Sequence, residues 1–356
     1  RELLPYLRIP NAFGLPTWLS RFDFVLDEKG HIRMVEINAD TPCFIVESFY
    51  ANGVAAAYHG RRDPNAGMRA QLRDFLAQLH ARLCAPAVDL SRRTIQDRPF
   101  VFSCFDDYPE DLATTLFLMR LMQEGVPHGD IRFLSFYEME IDDNGIPLID
   151  NRYATALYRL HPMEILIDER TADGEPLGAL FLDLYKEGKF ALMNPPEAIL
   201  LQNKSFMALV YALARTEQFL TAEECALVRR YLVPSYFEED FAALMDGTYI
   251  RKEIWGREGK NVRLVEKQGD HAKTVHEKQP DNVDEIICRP SRAAMYQDFV
   301  RQPRFVHTVD SGTIDGCLTL SCFMLFDTPS AVGARFSPAA IAGTEAYFLP
   351  LVVEES

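Results

Sequence analysis

"RFDFVLDEKGHIRMVEINADTP", Arg21 to Pro42, decides how the rest of this sequence is read. Side chains two apart in a strand share a face. "RFDFVLD" alternates, "EKGH" supplies a turn and "IRMVEINAD" alternates again, so the spacing predicts a β-hairpin. If the paired residue numbers have an odd sum, Arg21, Asp23, Glu36 and Asn38 share one face. Phe22, Phe24, Leu26, Val35 and Ile37 then take the other. Cross-strand neighbours lie about 5 Å apart, so two carboxylates and an amide oxygen come within reach of one hard cation. Mg²⁺ takes oxygen ligands and completes its shell with phosphates and water. Asp23, Glu36 and Asn38 are therefore candidate metal ligands, and Arg21 beside them suits a place where phosphate charge develops. The same spacing also admits a solvent-facing hairpin with surface ion pairs.

Working outward, residues 65–84 carry Met68, Leu72, Phe75, Leu76, Leu79 and Leu83 at helical period. "PFVFSCF" is a continuous apolar strand, "EDLATTLFLMRLMQEG" a helix ended by Gly125, and "IRFLSF" the next strand. That order predicts a βαβ unit with parallel strands, followed by a polar hairpin around "DDNG" at 142–145. Pro195 and Pro196 break the chain before a helix that carries Lys204, and 222–231 form another helix. "GTYIRKEIWGREGKNVRLVEKQGD" reads as strand, glycine loop, strand; 266–285 is expected to be an exposed charged stretch; "AMYQDFV" is a short strand.

The 356 residues suffice for two or three sub-domains and a sizeable core. A net charge of -15 argues against a nucleic-acid surface and is compatible with a cationic small-molecule partner. Seven cysteines, odd in number and without CxxC spacing, argue against a disulfide framework and for a reducing compartment such as the cytoplasm. No run of residues approaches a membrane span.

In the glycine loop, Gly256 and Gly259 flank Arg257 and Glu258, and Asn261 follows. Such a turn between strands can fold over phosphates and offer backbone N–H groups. Lys252, at the end of the preceding strand, can reach a phosphate. The loop is no P-loop, because no GKS or GKT follows and it joins two strands.

Taken in order, "RFDF…VEINADTP", "LYRLHPMEIL", "NPPEAILLQNKSF", "YIRKEIWGREGKNV", "MYQDFV" and "GARF" resemble the synthetase domain of the glutathionylspermidine synthase family, over nearly the whole chain. The resemblance implies an α/β, ATP-grasp-like synthetase fold with an inserted βαβ (pre-ATP-grasp) unit. It divides the chain into 1–95 with the metal hairpin, 96–160 with the βαβ unit, and 161–356 with the nucleotide lysines, the flap and the rest of the ATP-grasp region. It implies an ADP-forming ligase that uses ATP and Mg²⁺ to phosphorylate a peptide-like carboxylate, which a polyamine-like amine then attacks. By the same resemblance Asp23, Glu36 and Asn38 hold Mg²⁺. Arg21 and Arg335 hold the transferred phosphoryl group, and Lys204 and Lys252 hold ATP phosphates. Gln297 and Asp298 lie on the strand at the adenosine, and 256–261 form the flap. The bifunctional members carry an N-terminal amidase domain and place serines after "NAD", where Thr41, Pro42 and Cys43 stand here. The chain is thus closer to stand-alone synthetase-like members, with the Thr41 hydroxyl available to a substrate. Asp298 stands where Glu is expected. Asp106 and Asp107, at the C-terminal end of "FVFSCF", are candidates for the amine, or else caps of the next helix. Two further readings are a ligase of the same chemistry acting on another amino acid or peptide and amine, and a non-catalytic nucleotide-binding protein. The last is an unrelated α/β protein.

Overall fold

The hairpin is present in the computed structural model, which describes residues 3–84, 98–257, 259–277, 293–309, 312–341, 343 and 345–354. Strand β1 (Leu19–Leu26) pairs antiparallel with β2 (Ile32–Asn38). The turn is closed from Asp27, whose Oδ1 accepts the N–H groups of Lys29 (2.9 Å) and His31 (2.8 Å), while Gly30 takes the left-handed conformation at φ 79°. A π-helical turn (Glu47–Ala51) leads into α1 (Asn52–Tyr58), and α2 (Met68–Leu83) follows as its period predicts.

Next come β3 (Phe100–Ser103), α3 (Pro109–Gly125), β4 (Ile131–Phe133), β5 (Ala156–Arg159), α4 (Met163–Leu166), α5 (Leu177–Lys186) and β6 (Ala191–Met193). Their strands form a four-stranded sheet, order β4-β3-β5-β6, with every pairing parallel. β3 and β5 are buried along their whole length, as strands covered on both faces must be. The sheet continues past residue 160 to reach β6.

The last part holds α6 (Ala198–Gln202), α7 (Ser205–Thr216), α8 (Ala222–Tyr231), β7 (Ser235–Phe237), β8 (Gly247–Glu253), β9 (Arg263–Gln268), β10 (His271–Glu277) and β11 (Ala294–Asp298). β12 (Phe305–Val309), β13 (Gly312–Leu325), β14 (Thr328–Ser337) and β15 (Tyr347–Leu349) complete it. α8 starts on a capping box, Thr221 with Glu224. One antiparallel sheet runs β15-β14-β13-β1-β2, with β12 also on β13; another runs β10-β9-β8-β11-β7. The N-terminal hairpin is therefore completed by C-terminal strands. The main core packs Trp18, Phe49, Phe75, Phe102, Leu118 and Phe323 between this sheet and the parallel unit.

The charged stretch is exposed throughout His271–Glu277, as expected, and there it forms strand β10 pairing with β9, because backbone pairing holds a strand whose side chains are all solvated; Lys267, near its start, is instead buried, and positions 278–285 lie outside the described residues. Asp106 and Asp107 do not cap α3: the cap position is Tyr108, with Pro109 opening the helix. Within the hairpin Phe24 faces Met34, because the register shifts by one residue after Asp23.

Candidate phosphate and metal site

The hairpin register sets Arg21 opposite Asn38 and Asp23 opposite Glu36. On the other side of β1, Asp23 faces Ser321 of β13. Asp23, 1% exposed, is surrounded by donors. Arg21 grips it through Nε at 2.8 Å and Nη2 at 2.9 Å; Ser321 Oγ donates at 2.8 Å, Arg335 Nη2 at 2.8 Å and Asn38 Nδ2 at 3.2 Å. Arg335 arrives from β14, where its register partner is Thr319. Its guanidinium lies 5.7 Å from the Phe44 ring centroid, and its buried Nε has no hydrogen-bond partner. Phe44 reaches it because Gly333 has no side chain: a Cβ there would stand 2.5 Å from the Phe44 ring.

Glu36, whose side chain keeps 30% of its surface exposed, forms an ion pair with Lys204 at the start of α7. The Lys204 N–H donates to Ile254 O at 3.1 Å, which ties that helix start to the end of β8, where Lys252 lies. The register shift in the hairpin has a consequence for Lys252. It leaves Val35 without a cross-strand partner, and Val35 O accepts Lys252 Nζ at 3.1 Å. Arg21, Arg335, Lys204 and Lys252, far apart in sequence, therefore converge on one hairpin.

Four cations face two carboxylates here, a local excess of positive charge in a protein of net charge -15. Burial alone would raise Asp23; the guanidinium charges and the hydrogen bonds from Arg21 and Ser321 outweigh it and lower its pKa to about 2. Glu36 is likewise held below the ordinary carboxylate range despite its partial burial, mainly by Lys204 and then Lys252. Lys252 is lowered to about 8, chiefly by burial and further by Lys204, against the pull of Glu36 and Asp23.

The donor set fits Mg²⁺ in kind, with two carboxylates and an amide on one face. Among the described residues no three His, Cys, Asp or Glu side chains converge to hold a metal. A cation here would therefore need other oxygens, and the surplus of positive charge suits a polyanion that brings them.

The other candidates lie around this centre. Gly256, Arg257, Gly259 and Asn261 form the turn after β8, with Gly259 at φ 74° and Asn261 at φ 57°. Arg257 pairs with Glu164, Nε to Oε1 at 2.7 Å, and Asn261 Nδ2 donates to Glu253 at 3.2 Å. Gln297 and Asp298 lie on β11 beside the lysine strand. Gln297 is buried and donates to Ser235 Oγ at 3.0 Å, whereas Asp298 pairs with Tyr236 and is raised by burial. Thr41 is buried just beyond the hairpin. Asp106 accepts from Ser135 at 2.7 Å and Asp107 from Tyr137 at 3.0 Å, both at the C-terminal end of the parallel sheet. The contacts described join neither aspartate to the four cations.

The sequence did not point to Ser321, to Glu164, which holds Arg257, or to Asp40, Arg159, Asn194 and Gln202, which fix the chain just after Asn38. Asn194 donates to Ala39 O (3.0 Å) and Asp40 O (2.9 Å), and Gln202 Oε1 accepts from Ala39 N at 2.9 Å. These are contacts between distant segments, for which no local pattern is a signal.

A family model described as glutathionylspermidine synthase preATP-grasp matches residues 13–354. The solved structure of a candidate gamma-glutamylcysteine synthetase from Methylobacillus flagellatus KT is similar, with a TM-score of 0.52 at 11% identity. The match covers 95% of this chain and 80% of that one. At that identity the likeness concerns the fold, a mixed α/β architecture of ATP-grasp type.

Proposed function

This chain belongs to the glutathionylspermidine synthase family, and on that premise we propose that it is an ATP- and Mg²⁺-dependent carboxylate–amine ligase. In this reading a substrate carboxylate oxygen attacks the γ-phosphorus of ATP and ADP leaves. An amine nitrogen then attacks the acyl carbon of the acyl phosphate; phosphate leaves, the amine loses a proton, and an amide bond forms. The observation that carries the reading is the convergence of Arg21, Arg335, Lys204 and Lys252 on the Asp23–Glu36 face of one hairpin.

Phosphoryl transfer needs positioning and charge neutralisation more than covalent help from the protein. Lys204 and Lys252 would hold the ATP phosphates. Arg335, with its partnerless Nε, and Arg21 would hold the transferred phosphoryl group and the acyl phosphate. Asp23, Glu36 and Asn38 would hold Mg²⁺, which when bound neutralises charge on the phosphates. Gly256, Arg257, Gly259 and Asn261 would cover the phosphates and keep water from the acyl phosphate, with Gln297 and Asp298 on the adenosine side. The carboxylate is peptide-like, near Thr41, and the amine polyamine-like, with Asp106 and Asp107 as its candidate anchors. Among the described residues no cysteine forms a disulfide and no helix is long and apolar enough to cross a membrane.

A panel of carboxylates (glutathione, short peptides, amino acids) crossed with amines (spermidine, putrescine, ammonia) tests the proposal through ADP release and product mass. One pair should release ADP only when both members and Mg²⁺ are present. Tight nucleotide binding with no amine-dependent ADP from any pair would leave a binding protein instead.

A further inference from the structure

Asp40 lies two residues beyond Asn38 and makes contacts that the site described above does not use. Its side chain is fully buried, as is that of Arg159 at the end of β5. Arg159 holds it through both Nη atoms, at 2.5 and 3.2 Å, and Asp40 Oδ2 also accepts the N–H of Met163 at 2.8 Å. Met163 opens the short helix α4, whose next residue is Glu164. Glu164, 1% exposed, is the residue that holds Arg257 in the glycine loop.

Both Asp40 and α4, which link the hairpin to Glu164, are held in place. The Ala39–Asp40 backbone is clamped by Asn194, by Gln202 and by Thr17, whose Oγ1 donates to Ala39 O at 2.7 Å. α4 is backed by α5 at Gly178, where a Cβ would stand 1.8 Å from Leu166 O. A shift at Asp40 is therefore passed to α4 and Glu164 and not absorbed locally, since packed interiors transmit displacement.

We propose that Asp40 is a positioning residue that sets the glycine loop relative to the phosphate hairpin, acting through Arg159 and α4 on Glu164 and so on Arg257. What the alignment serves rests on the ligase reading; the mechanical linkage does not. Asn38, on the hairpin, and Arg257, on the loop, are thereby referred to one buried anion.

The test is hydrogen–deuterium exchange of the full chain without nucleotide, read over peptides carrying Arg257 and Lys260, with Phe100–Ser103 as the control for global unfolding. Asp40→Asn removes the charge and keeps the shape; Glu164→Gln releases Arg257 without touching Asp40. Each should speed exchange in the loop about tenfold or more, and the double variant should be no faster than the faster single, because both act along one line. Arg159→Lys keeps the charge but loses the fork and should fall between wild type and Asp40→Asn; it also serves if Asp40→Asn does not fold. Faster exchange confined to residues 38–43 and 159–163, or effects that multiply in the double variant, would overturn the proposal. A merely structural aspartate predicts that confinement. Titration with AMP-PNP and Mg²⁺ separates the two readings. Each single variant should weaken binding about tenfold. If wild type binds no nucleotide, the ligase reading falls while the exchange result still decides the role of Asp40.

Discussion

Asp23→Asn replaces a buried carboxylate by its neutral isostere, and the structure gives the size of the effect. The carboxyl is held at about 2 against an ordinary 3.8. That difference corresponds to about 2–3 kcal/mol of stability in the charged form. A depressed acid contributes stability that is fully present above its unfolded pKa and is lost as pH falls through the folded one. Here the window runs from about pH 4 down to about pH 2. Protonating wild type and mutating it to Asn remove the same charge from between Arg21 and Arg335. At pH 7 the variant should therefore be less stable by about 2–3 kcal/mol. Near pH 3 about half of that gap should remain. Urea unfolding of both proteins at the two pH values measures it. A gap of equal size at both values would show that the two guanidinium groups do not hold this carboxylate, and the electrostatic account of the site would fail. Loss of turnover alone could not make that distinction, since a metal ligand and a structural anion would both abolish it.

Lys204→Met removes a charged phosphate contact and should weaken AMP-PNP binding tenfold to a hundredfold, about 1.5–3 kcal/mol, by titration calorimetry. Lys252, lowered to about 8 chiefly by burial, is mostly neutral above that pH in the folded protein. Its lowered value means that the burden of a buried charge is present below pH 8 and relieved as pH rises through 8, so folded protein carries less proton than unfolded up to about 10.5. Phosphate binding restores the charge. Affinity should therefore decline above pH 8 with proton uptake measurable in buffers of different ionisation enthalpy, and Lys252→Met should abolish that uptake. Arg335→Met should lower turnover by about 100-fold or more while changing nucleotide affinity by less than about threefold, which steady-state kinetics and calorimetry together would check.

The hairpin was legible because two physical periods coincide in it: the strand repeat orders the faces, and Asp27 with Gly30 dictates the turn. The parallel unit was legible for a similar reason, since buried strands need unbroken apolar runs such as Phe100–Ser103. β10 was not, because its residues read as solvated charge and only the ladder to β9 holds them. Nor was the offset at Val35. Either register keeps Asp23 opposite Glu36, and only the fold decides that Val35 O turns to Lys252.

The residues around Asp40 were hidden for a deeper reason. Local rules govern which groups share a face, but they say nothing about which distant segment answers a buried charge. Asp40 and Arg159 are individually unremarkable in a chain with 52 acidic and 37 basic residues. Each is identified only by the other, at 2.5 Å and without solvent. A buried pair of this kind adds little stability compared with apolar packing, whereas breaking it is expensive. Its value lies in specifying one arrangement among several that the hydrophobic pattern allows. In this fold it selects how β2, the parallel sheet and, through Glu164, the glycine loop meet. That geometry is the one a site assembled from three sheets cannot obtain from any single stretch of sequence.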